Sequence, residues 1–171
     1  MDTIARGVGA KLTDRLGQSM VIDNRGGGGG TIGVELAASA PPDGYTLIMM
    51  SATSMIRPLL YSARYEILRD LAPMSQVSAQ PYLLVAHPSL PAKTVRELVA
   101  YAKANPGKLN YPSSGQGSII QLATELLCVQ TGMRMTHVPH KGMGAAYPDL
   151  IAGNIQIALA SIVSGQPHVR A

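Results

Sequence analysis

No tryptophan and no phenylalanine occur in the 171 residues, so any core must be packed from Leu, Ile, Val, Ala and Met. Hydrophobic residues still make up 46 %, enough for one domain or two small ones. Cys128 is the only cysteine, which excludes an intramolecular disulfide. It lies in the apolar helical pattern "IIQLATELLCVQTG" and reads as a buried, inert thiol. Charged residues are scarce at 14 %, and the net charge of +4 comes from bases scattered singly. Nucleic-acid binding calls for a clustered basic face, so no nucleic acid is expected; a scattered excess suits a small anion. No segment reaches the roughly 18 apolar residues of a membrane span. The opening "MDTIARGVGA" lacks the charged and apolar regions of a signal peptide, so read alone it points to a cytoplasmic product.

Catalytic and metal constellations are missing too. His137, His140 and His168 lack metal-ligand spacing, His87 lies elsewhere, and no Cys-x-x-Cys or carboxylate cluster occurs, so neither a metal nor a cofactor is expected. Ser113 and Ser114 do not sit in Gly-x-Ser-x-Gly. The glycine run at 26–30 lacks the Gly-Lys-Ser/Thr ending of a P-loop and the spacing of a dinucleotide fingerprint. His140, Lys141 and Cys128 are the only candidates for chemistry, and none has a visible partner. The sequence therefore reads as a binding protein and not as an enzyme.

What is present is an alternation of helices and short apolar runs. Residues 2–18 read as a helix with Ile4, Val8, Leu12 and Leu16 at helical spacing, capped by Asp2 or Thr3 and stopped by Gly17. "SMVID" and "YTLIMM" read as strands flanking a second helix, "TIGVELAASA", which Pro41-Pro42 ends. One short helix fits "SATSMIRPLLYSARY", and "PMSQVS" and "YLLVAH" are candidate strands. "TVRELVAYAKANPGK" is a helix with Thr94 as cap, Glu97 completing a capping box, and Pro106-Gly107 closing it. Then "LNYPS", "MTHVP" and "IQIALAS" read as strands alternating with the helices "IIQLATELLCVQTG", "AAYPDLIAG" and "VSGQPHVRA". This order predicts an α/β fold with mainly parallel sheets. The two halves share this plan, which predicts two lobes, residues 1–81 and 82–171.

In open parallel sheets, ligands bind beyond the carboxyl ends of the strands. Four loops take that position: Gly26 to Thr31, Ser51 to Ser54, Ser113 to Ser118, and His140 to Gly144. Glycine lets backbone N–H groups approach a ligand closely, the next helix adds unpaired N–H groups, and Ser and Thr hydroxyls add donors. Lys141 adds a full charge. Each loop has a plainer reading as a tight strand-to-helix turn. The combined theme is capture of an anion such as a carboxylate.

The stretch "DNRGGGGGTIGVELAASAPPDGYTLIMMSATS" resembles the substrate-binding proteins of tripartite tricarboxylate transporters, the Bug or TctC family. "HPSLPAKTVRELVAYAKANPGKLNYPSSGQGS", "HVPHKGMGAAYPDLIAGNIQIALAS" and "QPHV" extend the resemblance through the chain. It implies a type II periplasmic-binding-protein fold whose two lobes close on a small carboxylate. It also implies delivery to membrane permease subunits and a periplasmic location. The candidate ligand-binding set is Gly29, Gly30, Thr31, Ser51, Thr53, Ser54, Ser113, Ser114, Gly115, Gln116, Gly117, Ser118, Lys141 and Ser161. Members of the family are nearly twice this length, so the chain reads as truncated at both ends, the first lobe lacking its first strand and its return segment. Within the motifs Gly26 stands for a usual proline, "SMIRP" for His-x-x-Asn-Pro, Gln121 for a common His, His140 for a usual Tyr and Ala160 for a common acid. Arg57, if near the cleft, favours a more anionic ligand. The alternative reading is a non-functional or interaction-only fragment that binds no ligand, with a dimer through exposed sheet edges as its possible assembly.

Overall fold

The computed structural model describes residues 1–79 and 81–169. The chain divides into two compact units, Met1–Ala72 and Pro73–Ala171. The expected boundary lay slightly later, at 81/82; the irregular segment 73–79 goes with the second unit.

Unit 1 is helical among its described residues. Helix α1 (Asp2–Leu16) ends at Gly17, whose left-handed φ of 67° provides the expected stop. Asp2 is not its cap: Met1 holds that position, and the Asp2 carboxylate instead accepts from Arg6 at 2.9 Å and Asn24 at 2.6 Å. The buried Gly9 lets α1 sit close on Ile22, whose Cδ1 lies 3.1 Å from where a β-carbon would be. A turn of 3-10 helix (Gly28–Gly30) leads into α2 (Thr31–Ala38). Helices α3 (Ala52–Leu60) and α4 (Ile67–Asp70) complete the unit. Val34 and Tyr65 are its buried hydrophobic residues, a thin core.

The strands expected at "SMVID" and "YTLIMM" do not form, nor does "PMSQVS" in unit 2. A strand is defined by its neighbour's hydrogen bonds, and these segments have no ladder partner among the described residues. Several of their side chains remain outside: Val21 is 87 % exposed and Tyr45 91 %.

Unit 2 carries the sheet structure. Its strands are β1 (Tyr82–Ala86), β2 (Asn110–Ser113), β3 (Thr136–Pro139) and β4 (Ile157–Ser161). β2 and β3 pair in parallel, with Tyr111 opposite His137 and Ser113 opposite Pro139. β1 and β4 pair antiparallel, Tyr82 opposite Ser161. The expectation of mainly parallel pairing thus holds for one of the two ladders. Helix–strand alternation constrains strands joined by one crossover, and β1 and β4 are far apart in sequence. Gln156, just before β4, donates its N–H to Asn110 O at 3.2 Å and links the ladders.

Helices α5 (Val95–Ala104), α6 (Ile119–Thr131), α7 (Tyr147–Ile151) and α8 (Ile162–Val169) complete unit 2. Alternation along β4 sorts the core. Ile157 packs with Leu90, Leu98, Ala102, Leu109, Cys128 and Met133, whereas Ala158 and Ala160 pack with Tyr147, Leu150 and Ile155. β4 is therefore buried on both faces, as period-two side chains require.

Thr94 caps α5: its Oγ1 accepts from Glu97 N at 3.2 Å. Glu97 returns its carboxylate to Lys93 N at 2.7 Å, one residue before the position a capping box uses. Thr94→Ala is expected to cost about 1 kcal/mol of unfolding free energy, read as a lower urea midpoint at unchanged slope. An unchanged midpoint would mean that water replaces the cap without loss.

Candidate functional site

The glycine run begins the site in unit 1. Gly27, Gly28, Gly29 and Gly30 all hold positive φ, from 56° to 115°. Only glycine adopts four such conformations in succession without strain. The run folds back so that Gly30 N donates to Gly27 O at 2.8 Å and Thr31 Oγ1 donates to Gly28 O at 3.0 Å. It packs against the first turns of α3. A β-carbon on Gly30 would lie 3.0 Å from Ser54 Oγ, and one on Gly29 would lie 2.8 Å from Arg57 Nη1. Ser51 takes the cap position of α3 without a side-chain cap bond. Thr53 and Ser54 are buried, and Tyr65 donates its hydroxyl to Ser54 O at 2.9 Å. The Arg57 guanidinium lies 4.8 Å over the Tyr61 ring. Gly29, Gly30, Thr31, Ser51, Thr53 and Ser54 therefore gather in unit 1. Gly30, Ser51 and Ser54 line a cavity of about 220 Å³ together with Arg25, Asn24 and Met49.

The site loops of unit 2 meet where β2 and β3 end side by side. Ser113 closes β2 at 0 % exposure. Its hydroxyl donates to Gly115 O at 2.9 Å and accepts from Gly115 N at 3.1 Å. It also meets His137 Nε2 at 2.6 Å. Since the one hydroxyl proton goes to Gly115 O, His137 donates from Nε2. Burial lowers the His137 pKa, with a smaller contribution from the charge of His140, so its neutral form is favoured. Its ring stacks on Tyr111 at 5.1 Å, and the Tyr111 hydroxyl donates to Glu125.

This Ser–His pair is a brace. The serine is sealed from solvent and its proton is committed to a carbonyl, so it offers no nucleophile to a substrate. Cys128 is buried likewise, and desolvation pushes its thiol pKa up, away from reactivity.

Beyond Ser113 the loop turns through Gly115 and Gly117 to Ser118, which caps α6 by accepting from Gln121 N at 3.4 Å. Gln121 returns its side-chain oxygen to Gly117 N at 2.7 Å. Ser114 and Gly115 are half-buried, Gln116 is exposed, and Gly117 and Ser118 are buried. The loop at 140–144 joins through His140 N, which donates to Ser113 O at 3.0 Å. It carries the exposed Lys141 and then Gly142 at φ 109°. Ser161, at the end of β4, belongs to a different hydroxyl cluster: its Oγ lies 2.6 Å from Ser164 Oγ, which accepts from Tyr147 at 2.6 Å.

Three features were missed from the sequence. His137 supports Ser113, Gln121 holds the Gly117 amide, and Tyr147 with Ser164 supports Ser161. Gln121 had a local signal, being the third residue after a capping serine. The others are through-space contacts with no local signature. Among the described residues no three His, Cys, Asp or Glu side chains gather as metal ligands, and no helix is long and apolar enough to cross a membrane.

The chain is mixed α/β, with glycine- and serine-lined loops at the carboxyl ends of β2 and β3, and its fold is that of periplasmic binding proteins. Solved structures share it at high similarity. Rpa4515 of R. palustris, solved with adipate, is 34 % identical at a TM-score of 0.93, the match covering 99 % of this chain and 57 % of that one. MatC of Rhodopseudomonas palustris, with bound malate, is 31 % identical at 0.88, covering 99 % and 58 %. BugT of Bordetella pertussis is 36 % identical over 99 % of this chain and 53 % of its own length. The chain belongs to the tripartite tricarboxylate transporter receptor family, whose model matches residues 4–171. It spans about half the length of the curated relatives it matches.

Proposed function

We propose that the chain provides carboxylate-binding loops of a solute receptor. The receptor captures a small organic acid in the periplasm and passes it to the permease subunits of a tripartite tricarboxylate transporter. The observation that carries this reading is the braced 113–118 loop beside Lys141. The half-buried Ser114 and the turn it opens stand where the parallel strands end, in a chain whose solved relatives hold adipate and malate. In this reading the ligand set is Gly29, Gly30, Thr31, Ser51, Thr53 and Ser54 in unit 1, and the 114–118 turn, Lys141 and Ser161 in unit 2, with the sealed Ser113 bracing the turn instead of touching the ligand. The protein binds and releases without making or breaking bonds.

Thermal unfolding with adipate, malate and a tricarboxylate tests it. A ligand that binds only the folded chain stabilises it by RT ln(1 + [L]/Kd), about 2.7 kcal/mol at a hundredfold excess over Kd. The midpoint is expected to rise with the logarithm of ligand concentration for at least one acid. A folded chain that shows no shift at millimolar concentrations of all of them would sink the reading.

One observation supports a second reading, association without ligand. The segments around Val21, Tyr45 and Leu47 are apolar, exposed and without ladder partners among the described residues. Unpaired apolar backbone is a template for pairing with another chain. Light scattering after size exclusion separates the cases: a monomer at tens of micromolar removes this reading.

A further inference from the structure

The helices of this chain fall into two sets by how they begin. An acid in the first turn meets the positive end of the helix dipole and stabilises the helix. Four helices have one: Asp2 in α1, Asp70 in α4, Glu97 in α5 and Asp149 in α7. The first turns of α2, α3, α6 and α8 hold none among the described residues. These are the helices that open on candidate ligand groups: α2 on Gly29 to Thr31, α3 on Ser51 to Ser54, α6 on the 114–118 turn and α8 on Ser161. Each unit holds two of them. Lys141 is followed by a 3-10 turn (Met143–Ala146), also without an acid, before α7 begins. An acid at these starts would cancel the field that attracts an anion.

The starts of α5 and α6 show the contrast at one position. In α5, Thr94 Oγ1 accepts from Glu97 N at 3.2 Å, and the Glu97 carboxylate accepts from Lys93 N at 2.7 Å. In α6, Ser118 Oγ accepts from Gln121 N at 3.4 Å, and Gln121 Oε1 accepts from Gly117 N at 2.7 Å. Position and partner match; the two side chains differ by one charge. A glutamate would satisfy the same amide and also gain from the dipole, so capping alone does not call for a glutamine. We propose that Gln121 is a positioning residue kept neutral for anion selection: it closes the Gly117 turn as a glutamate would, without placing a negative charge beside the ligand loop. This inference rests on the receptor reading of that loop.

The rest of the turn makes it sensitive to one added charge. Gly115 N is spent on Ser113 Oγ, Gly117 N on Gln121 Oε1, and Ser118 N on the Gly115 carbonyl at 3.2 Å. With these three amides committed, attraction of an anion leans on the field at the helix start. The first acid in α6 is Glu125, one turn further along, where it is exposed and its carboxylate accepts from the Tyr111 hydroxyl. The dipole's influence fades within the first turn, so Glu125 does not do what a glutamate at 121 would.

Gln121→Glu, made in the full chain, tests the proposal by calorimetry at pH ~7.5, where carboxylates are ionised. The urea midpoint is expected to hold or rise, because the cap is kept. Affinity for adipate or malate is expected to fall about tenfold, and for a monoester of adipate about threefold, since repulsion scales with ligand charge. Raising the salt from ~0.05 to ~0.5 M should close most of the gap. Glu97→Gln makes the reverse change on α5, away from the loop, and should leave affinity unchanged. Equal affinity in wild type and Gln121→Glu overturns the inference and leaves the receptor reading standing. A loss of equal size for diacid and monoester, or one that salt does not touch, also overturns it, because the glutamate would then act through shape. A lowered urea midpoint overturns it too, since the glutamate would not have replaced the glutamine at the Gly117 amide. A folded wild type that binds neither adipate, malate nor a tricarboxylate removes the receptor reading first, and this inference with it.

Discussion

Replacing Ser113 by alanine is expected to lower the unfolding free energy by about 2–4 kcal/mol and to weaken carboxylate binding more than tenfold. The hydroxyl serves three groups at once: Gly115 O, Gly115 N and His137 Nε2. Leaving a buried polar group unpaired costs about 1–3 kcal/mol. Ser113 itself is sealed, but Gly115 is half-buried, so water recovers part of the loss. Three such groups would cost about 3–9 kcal/mol, and recovery by water brings the expectation down to about 2–4 kcal/mol. The binding effect arises because Gly115, at φ 122°, sets the direction of the amides that follow. Ser114→Ala is the control. Its side chain is half-buried and adjacent, and its removal should change stability by less than about 0.5 kcal/mol while still weakening binding. Urea titration of both variants checks the contrast. Equal stability losses would show that the brace around Ser113 is not what holds the loop.

The difference between Ser113 and Ser114 also shows where the sequence is legible. Both were candidate ligand groups by position, and nothing local separated them. The partner that separates them, His137, is 24 residues away on the neighbouring strand, joined by a contact the alternation pattern does not encode. The elements themselves were readable wherever a local device fixed them. Gly17 and Gly132 stop α1 and α6 in left-handed conformations, Thr94 and Ser118 cap α5 and α6, and the strand segments in "YLLVAH", "LNYPS", "MTHVP" and "IQIALAS" became β1 to β4. "SMVID" and "YTLIMM" carry the same apolar signal yet form no strand, because strand formation depends on a neighbour and not on the segment alone. The antiparallel β1–β4 pair was hidden for a related reason: no single crossover joins them to fix their direction. The 113–118 and 140–144 loops were legible as turns because glycine and serine follow β2 and glycine follows β3, whereas the loops at 26–31 and 51–54 follow segments that form no strand. Their bracing was not, since His140–Asp149 and Tyr147–Ser164 are pairings of ordinary surface residue types.

Gly165→Val is expected to destabilise unit 2 by about 3 kcal/mol, and Gly165→Ala by about 1–2 kcal/mol, as overpacked cores do. Gly165 lies buried in α8, and a β-carbon there would stand 2.8 Å from the Ala160 β-carbon on β4. That atom is bonded directly to the backbone and has no rotamer through which to move away. Helix propensity argues the other way, since alanine is favoured over glycine by up to about 1 kcal/mol inside a helix. The overlap wins, because relief requires lifting α8 from β4. Lifting α8 stretches the bonds that tie it down: Ser164 N to Ser161 Oγ at 3.2 Å, the Ser161–Ser164 hydroxyl pair, and Tyr147 to Ser164. It also disturbs the Tyr147–His168 ring contact at 4.7 Å. Ser161 is the candidate ligand group on that edge, so binding should weaken along with stability. The decisive variant is Gly165→Ala with Ala160→Gly. If the overlap is the cause, removing the opposing β-carbon should recover most of the loss, and the double-mutant cycle should show a coupling of about 1 kcal/mol or more. Additive losses in the two single variants would place the cost elsewhere, in the glycine's own backbone and not in its contact with β4.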